Sequence, residues 1–410
     1  MNTPSKSSFK LFECFGIELE YMLVNKDDIS PAPYTDNLIE EKNGTITDEL
    51  ENGIISWSNE LVLHVIELKT TLPVNTLEGL ADSFHANVKE INQLLDKKGQ
   101  MLMPTAMHPL LNPLTDLKLW PHHRNEIYEQ YNKIFNCKGH GWGNLQSMHI
   151  NLPFSTDEEF FKLHEAIRIL MPLIPALTAS SPIYEGKKGD YNDNRLAFYE
   201  ENQRKIPSIT GKVIPESVKD KVAYEAIILQ QLYRDIAPYD PEGLLQEEWL
   251  NSRGAITRFD RNAIEIRIID LQECPLADIA VAELIVAVLK RIIYDHNKLP
   301  SISENELYQI YRDTITTGMN AVVKNKNYKN IFGTKLQDSV SVKNIWENLL
   351  SEIVLSPKSD AVIRNILANG SLSERILSSL GSQPSTEAIT ECYRELSKCL
   401  ADNSLFTINK

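Results

Sequence analysis

Between residues 12 and 24 the chain alternates: Phe15, Ile17, Leu19 and Tyr21 are apolar, and Gly16, Glu18 and Glu20 stand between them. That period of two predicts a strand with one apolar and one acidic face. Side chains two residues apart on a strand look the same way, roughly 7 Å from each other, so Glu18 and Glu20 form a candidate cation site or simply a wet face. Three later stretches share the design. Residues 61–70 read as a strongly buried strand carrying Glu67 in its middle, where an unpaired carboxylate is costly, so Glu67 needs Lys69 or a metal ion as partner. Residues 139–154 lead from Gly139, Gly141 and Gly143 into a strand with Ser147, His149 and Asn151 on one face and Met148, Ile150 and Leu152 on the other. In residues 258–270, Ile264, Ile266 and Ile268 share a face, opposite Glu265 and Arg267.

Helical spacing fills much of the remainder. Leu77, Leu80, Phe84, Val88, Ile91, Leu94 and Leu95 predict a helix running to about Lys98, its stripe facing a core. Helices are also expected over 125–135, over 157–180 with Pro172 and Pro175 dividing it, and over 279–293. Residues 181–221, with Lys187, Lys188, Arg195, Arg204 and Lys205, read as a long polar connection, either a surface excursion or a substrate loop. Beyond Pro300 the pattern is helical, and Ser303 with Glu306 and Ser371 with Glu374 carry capping-box spacing. The expected division is a catalytic domain over 1–299 and a helical appendage over 300–410, packed on the first part or on a second copy of the chain.

The 410 residues carry a net charge of −14, which opposes nucleic-acid or anionic-membrane binding, since both need a basic footprint. Cys14, Cys137, Cys274, Cys392 and Cys399 show neither CxxC pairing nor an even count, so a reducing compartment is expected. Glu13, Glu18 and Glu20 interrupt the apolar stretch that follows Lys6 and Lys10, which argues against a signal peptide. No run of about 18 apolar residues occurs, so the expected location is cytoplasmic, with small molecules as partners.

Glu18, Glu20, Glu67, His149 and Glu265 would repel one another if they converged on one sheet without cations. Two divalent ions roughly 3.5–4 Å apart would satisfy them and could clamp a nucleotide triphosphate. Oxygen donors suit Mg²⁺, and the imidazole leaves Mn²⁺ open. His140, outside the strand, is a looser ligand candidate; His108, His122 and His123 read as surface or capping residues. An arginine beside a metal-binding carboxylate suits the oxygens of a transferring phosphoryl group, which is the role open to Arg267 beyond a simple pair with Glu265. No Walker or kinase signature offers another phosphate cradle.

The run Gly16-Ile17-Glu18-Leu19-Glu20-Tyr21 resembles the G-x-E-x-E first strand of glutamate–cysteine ligases of the second family, carboxylate–amine ligases with the glutamine synthetase fold. The agreement extends in order through Val65 to Thr70, through His149, and through Glu265-Ile266-Arg267. The resemblance implies an α+β fold: a curved, mainly antiparallel sheet with flanking helices and a helical C-terminal region. It also implies ATP-dependent amide formation through an acyl phosphate, as in γ-glutamylcysteine synthesis for glutathione. Metal ions on Glu18, Glu20, Glu67, His149 and Glu265 would orient ATP, Arg267 would stabilise the transferred group, and Arg195 would grip the substrate carboxylate. Ser147 stands where many members carry a first histidine of H-x-H, and Asn151 replaces a common glycine, so the substrate is less defined than the metal site. A guanidino-group phosphotransferase and a non-catalytic ATP- or metal-binding regulator are the alternatives.

Overall fold

The computed structural model describes residues 9–295, 300–333 and 338–408. Its centre is an antiparallel sheet built from β1 (Gly16–Asn25), β2 (Glu49–Asn52), β3 (Ile55–Asn59), β4 (Val65–Thr70), β5 (Gln100–Met103), β6 (Ser147–Pro153), β7 (Ala255–Arg258) and β8 (Ala263–Asp270). The strands lie in the order β2-β3-β4-β1-β6-β8-β7, with β5 paired to the far end of β1. The first alternating stretch of the sequence is therefore the central strand.

Alternation decides which face is core. Ile17, Leu19, Tyr21 and Leu23 are fully buried, and Phe84, Val88, Ile91 and Leu95 of the helix Leu80–Asp96 belong to the same apolar cluster. Truncating a ring such as Phe84 in such a core costs roughly 3–5 kcal/mol. The helices Asp157–Leu170 and Pro275–Asp295 contribute to this cluster, leaving the opposite face of the sheet polar.

Several elements are shorter than the sequence pattern suggests. The helix whose apolar stripe is expected from Leu77 begins at Leu80, because Gly79 sits at φ 76°, outside helical geometry. The strand expected over 61–70 forms only from Val65, with Val62 in an isolated bridge to Leu119. The helix after Asp157 is divided at its prolines into a 3₁₀ turn, Met171–Leu173, and a short helix, Ile174–Thr178. Residues 181–221 are less loop-like than their polarity predicts: they hold a small hairpin, Ile183–Tyr184 with Lys187–Lys188, and a helix, Asn194–Glu201, capped by the Asp193 side chain.

The helices after residue 300 share the main apolar cluster with the sheet-bearing part through Tyr311, Tyr328, Trp346 and Leu400. Both predicted capping boxes are formed, at Ser303 with Glu306 and at Ser371 with Glu374. The expected boundary at 299 falls among residues 296–299, outside the described residues, as does Lys6. Among the described residues no helix is long and apolar enough to cross a membrane.

Candidate active site

Strand register brings the sequence-predicted residues together. Glu20 lies opposite Glu67, Glu18 opposite both Lys69 and His149, and Glu265 opposite Asn151. Four adjacent strands thus present their acidic and imidazole groups on one polar face. Pairing of β8 with β6 shifts register between Ile266 and Ile269. Within that irregularity the Arg267 N–H donates to the Gly254 carbonyl at 2.8 Å, and Arg195 Nη2 donates to the Arg267 carbonyl at 2.8 Å.

His149 stands among three carboxylates. Its Nδ1 lies 2.8 Å from Glu18 and 3.5 Å from Glu265, while its Nε2 lies 2.9 Å from Ser147 Oγ and 3.8 Å from Glu20. Ser147 also fixes Glu20, donating from its N–H at 2.6 Å and from its hydroxyl at 3.0 Å. Asn151 donates to the remaining oxygen of Glu18 at 3.0 Å. On the far side of β1, Lys69 pairs with Glu67 at 3.2 Å. Glu265 accepts from Arg267 Nε at 2.5 Å.

The charges shape one another. Burial penalises an ionised Glu18, yet the His149 hydrogen bond and charge hold its carboxyl down at about 2. Burial and the Glu18 charge push Glu67 up to about 7, against the opposing pull of Lys69 and Ser58. Burial also disfavours a charged His149, but its bond to Glu18 and the charges of Glu20, Glu18 and Glu265 raise it to about 9.

Two sets of potential ligand atoms, from Glu18, His149 and Glu265 and from Glu20, Glu67 and His149, each lie within 4.8 Å of one another. Carboxylate oxygens with a single imidazole are the donors that Mg²⁺ and Mn²⁺ accept, so this face fits such ions. The surrounding cavity, of about 400 Å³, also takes in Glu60, Tyr199, Arg258 and Arg261, which sequence reasoning had not singled out. Glu60 stands just before a buried stretch, seven residues ahead of Glu67, and only the fold shows it facing the site. Burial and the charges of Glu20 and Glu67 push its carboxyl well above the ordinary range. A second cavity opens from Glu18, Lys69 and Arg261 toward Gly16, Thr70 and Asn151.

Two candidates sit differently from the strand-borne five. Arg195 lines the cavity, but it is 2% exposed; its Nη1 is paired with Asp270 at 3.1 Å, its Nη2 holds the Arg267 carbonyl, and its Nε has no hydrogen-bond partner. His140 lies outside both ligand sets and bonds Glu185 at 3.2 Å. His122 and His123 pair with Asp36 and Asp48, while His108 is fully buried instead of lying at the surface.

A family model described as glutamate–cysteine ligase family 2 matches residues 14–395. An uncharacterized protein of Archaeoglobus fulgidus is 34% identical over 391 residues, covering 95% of this chain and 99% of that one. A Dechloromonas aromatica protein, provisionally named glutamate–cysteine ligase 2, is 25% identical over 208 residues, or 48% of each chain. Among solved structures, a glutamate–cysteine ligase from Francisella tularensis in complex with AMP superposes with a TM-score of 0.62 at 15% identity, covering 95% of this chain and 89% of that one. A bifunctional glutathione synthetase from Pasteurella multocida gives 0.56 at 12% identity, over 96% of this chain and 53% of that one. At these identities the structural likeness establishes the shared fold, a mainly antiparallel sheet with flanking helices and a helical C-terminal region.

Proposed function

Since the chain belongs to glutamate–cysteine ligase family 2, and is thus of carboxylate–amine ligase type, we propose that it joins an acid to an amine at the expense of ATP, through an acyl phosphate. The observation that carries this reading is the gathering of Glu18, Glu20, Glu67 and Glu265 around His149, with Arg267 held at its edge. Glu18, His149 and Glu265 on one side, and Glu20, Glu67 and His149 on the other, would hold Mg²⁺ or Mn²⁺. Such ions, when bound, neutralise and orient the triphosphate.

The chain's own groups account for the remaining requirements. A carboxylate oxygen of the acid attacks the γ-phosphorus of ATP; the bond to the bridging oxygen breaks, ADP leaves, and an acyl phosphate forms. The guanidinium of Arg267, kept charged by Glu265, meets the phosphoryl oxygens on which charge accumulates. Arg195 is then a positioning residue: it fixes the Arg267 main chain in the register shift instead of gripping the acid. The lone pair of a neutral amine nitrogen next attacks the acyl carbon, the carbon–oxygen bond to phosphate breaks, phosphate leaves with the electron pair, and the nitrogen gives one proton to solvent.

Family membership makes glutamate and cysteine the first pair to test. ADP release from Mg-ATP is measured with both present, with each alone, and with other acids and amines, and products are identified by mass spectrometry. ADP formation that needs an acid and an amine together, with an amide product, is the expected result. ADP release with a single guanidino compound, and a phosphorylated product, would replace the ligase reading with phosphotransfer.

A further inference from the structure

The groove over the sheet differs in chemistry at its two ends. At the Glu18 end, Lys69 and Arg261 line both cavities and Arg258 the main one, and the second cavity opens past Gly16, Thr70 and Asn151. That end offers cations for phosphate and space for a nucleoside. At the Glu20 end the register places Ser147 and Glu67, with Glu60 beside them, and an aromatic wall lines the same cavity.

Tyr128, Tyr131, Trp142 and Trp249 line the main cavity and none lines the second one. All four are half-buried. Tyr131 stands between the two indoles, with ring centroids 5.3 Å from Trp142 and 6.1 Å from Trp249. Phe135 stacks behind Trp142 at 5.5 Å with 28° between planes. The backbone is set as firmly: Asn202 donates to the Gly141 carbonyl, and a Cβ at Gly141 would collide with the Asn202 side chain. This is a rigid apolar wall in a cavity that is otherwise strongly charged. Aromatic rings that line a cavity suit a flat apolar ligand, and they attract cations over their faces. The adjoining polar groups, Asn202, Gln203 and Ser252, are neutral, and Glu60 is acidic.

We propose that the amine substrate is a primary amine bearing an aromatic ring, with the ring seated between Trp142, Tyr131 and Trp249 and the nitrogen directed toward Glu60 and the acyl carbon. This assignment rests on the ligase reading for its chemistry but names a different amine from cysteine. The cations nearest this wall are already engaged: Arg195 holds Asp270 and the Arg267 carbonyl, and Arg267, whose charge reaches Tyr131, is held by Glu265 and directed to the phosphoryl group, so among the described residues an acid is left no free cation here. A nucleobase could also stack on indole, since Lys69, Arg258 and Arg261 line this same cavity; the binding of an ATP analogue distinguishes that occupant.

Binding to the full chain is measured by calorimetry with L-tryptophan, L-phenylalanine and phenethylamine, against L-alanine and L-cysteine. A non-hydrolysable ATP analogue is titrated separately with Mg²⁺. The expected result is at least tenfold tighter binding of the ring-bearing amines than of alanine or cysteine. Trp142→Leu and Trp249→Leu, which keep apolar bulk, should remove that preference and leave the ATP analogue's Kd within twofold. Equal binding of alanine or cysteine overturns the proposal, and so does weakening of the ATP analogue by the tryptophan substitutions, which would give the wall to the base. Turnover separates the two readings: ring-bearing amines that bind, with no ADP formed from any acid, would sink the ligase chemistry while leaving the aromatic site in place. If they neither bind nor react while cysteine is ligated, the ligase stands and the aromatic site does not.

Discussion

Arg195 holds Arg267 by its main chain: Nη2 donates to the Arg267 carbonyl at 2.8 Å while Nη1 is anchored on Asp270 at 3.1 Å. Asp270 is itself fixed by the Ser180 N–H at 2.8 Å and the Ser181 hydroxyl at 3.0 Å. Arg267 is thereby set by a buried network and not by its side-chain pair alone. Arg195→Lys keeps a charge for Asp270 but cannot reach both partners with a planar fork. We expect kcat to fall about 10- to 100-fold, as misplacement of a reacting group does, with the KM of the acid changed less than threefold. A large rise in that KM with kcat intact would return Arg195 to the role of substrate grip.

Glu265 serves both halves of the site, facing His149 at 3.5 Å and Arg267 Nε at 2.5 Å. Glu265→Gln retains shape and removes the charge. Metal-dependent ADP formation should drop at least about 100-fold while the circular dichroism spectrum stays that of the parent. Unchanged activity would take Glu265 out of the site.

The strands that carry these residues were legible because alternation of apolar and polar positions is a local signal, written into Ile17, Leu19 and Tyr21 and again into Ile264 and Ile266. Their convergence rests on register, which is not local: nothing in residues 12–24 says that Glu18 will lie opposite His149. Glu60 escaped notice because it precedes its strand and has no alternating neighbours, and the Trp142 and Trp249 wall because its parts are over a hundred residues apart. Arg195 was picked out by the family resemblance, but its pairing with Asp270 depends on a helix that local polarity hid. The capping boxes at Ser303 and Ser371 were fully readable, since four residues contain the whole interaction.

Metal binding should be pH-dependent. His149 titrates at about 9 in the metal-free protein, above the ordinary 6.5, so it enters neutral solution protonated. A ligand imidazole must be neutral, so the first ion that His149 binds expels that proton. Between pH 7 and 9 the apparent affinity for Mn²⁺ should rise about tenfold per pH unit and level off above 9. His149→Asn should bind more weakly and lose most of that slope. The same raised value means that His149 stabilises the metal-free fold fully below pH 6.5 and that this contribution is lost as pH rises through 9. Titration calorimetry in buffers of different ionisation enthalpy counts the proton directly, and a count near zero at pH 7.5 would contradict the assignment.

On the acid side one contribution comes from His108, which is fully buried. Its Nε2 lies 2.7 Å from the Ile29 carbonyl and its Nδ1 accepts from the Leu110 N–H at 3.1 Å, so the neutral ring uses both nitrogens. Burial pushes it from 6.5 to about 4, and burial likewise pushes His64 down to about 3. A depressed base is favoured neutral in the fold, so the unfolded chain binds more protons in this window and stability falls as pH drops from 6.5 toward 4. For His108 the shift corresponds to about 3 kcal/mol once both states are fully titrated. Between pH 6.5 and 4 His108 should therefore lower the unfolding temperature, against the opposite pull of Glu67, whose raised carboxyl favours the fold as pH falls. His108→Asn, though less stable at pH 7 through its lost contacts, should show a shallower decline over that interval. An equally steep decline in the variant would assign the acid sensitivity to other groups.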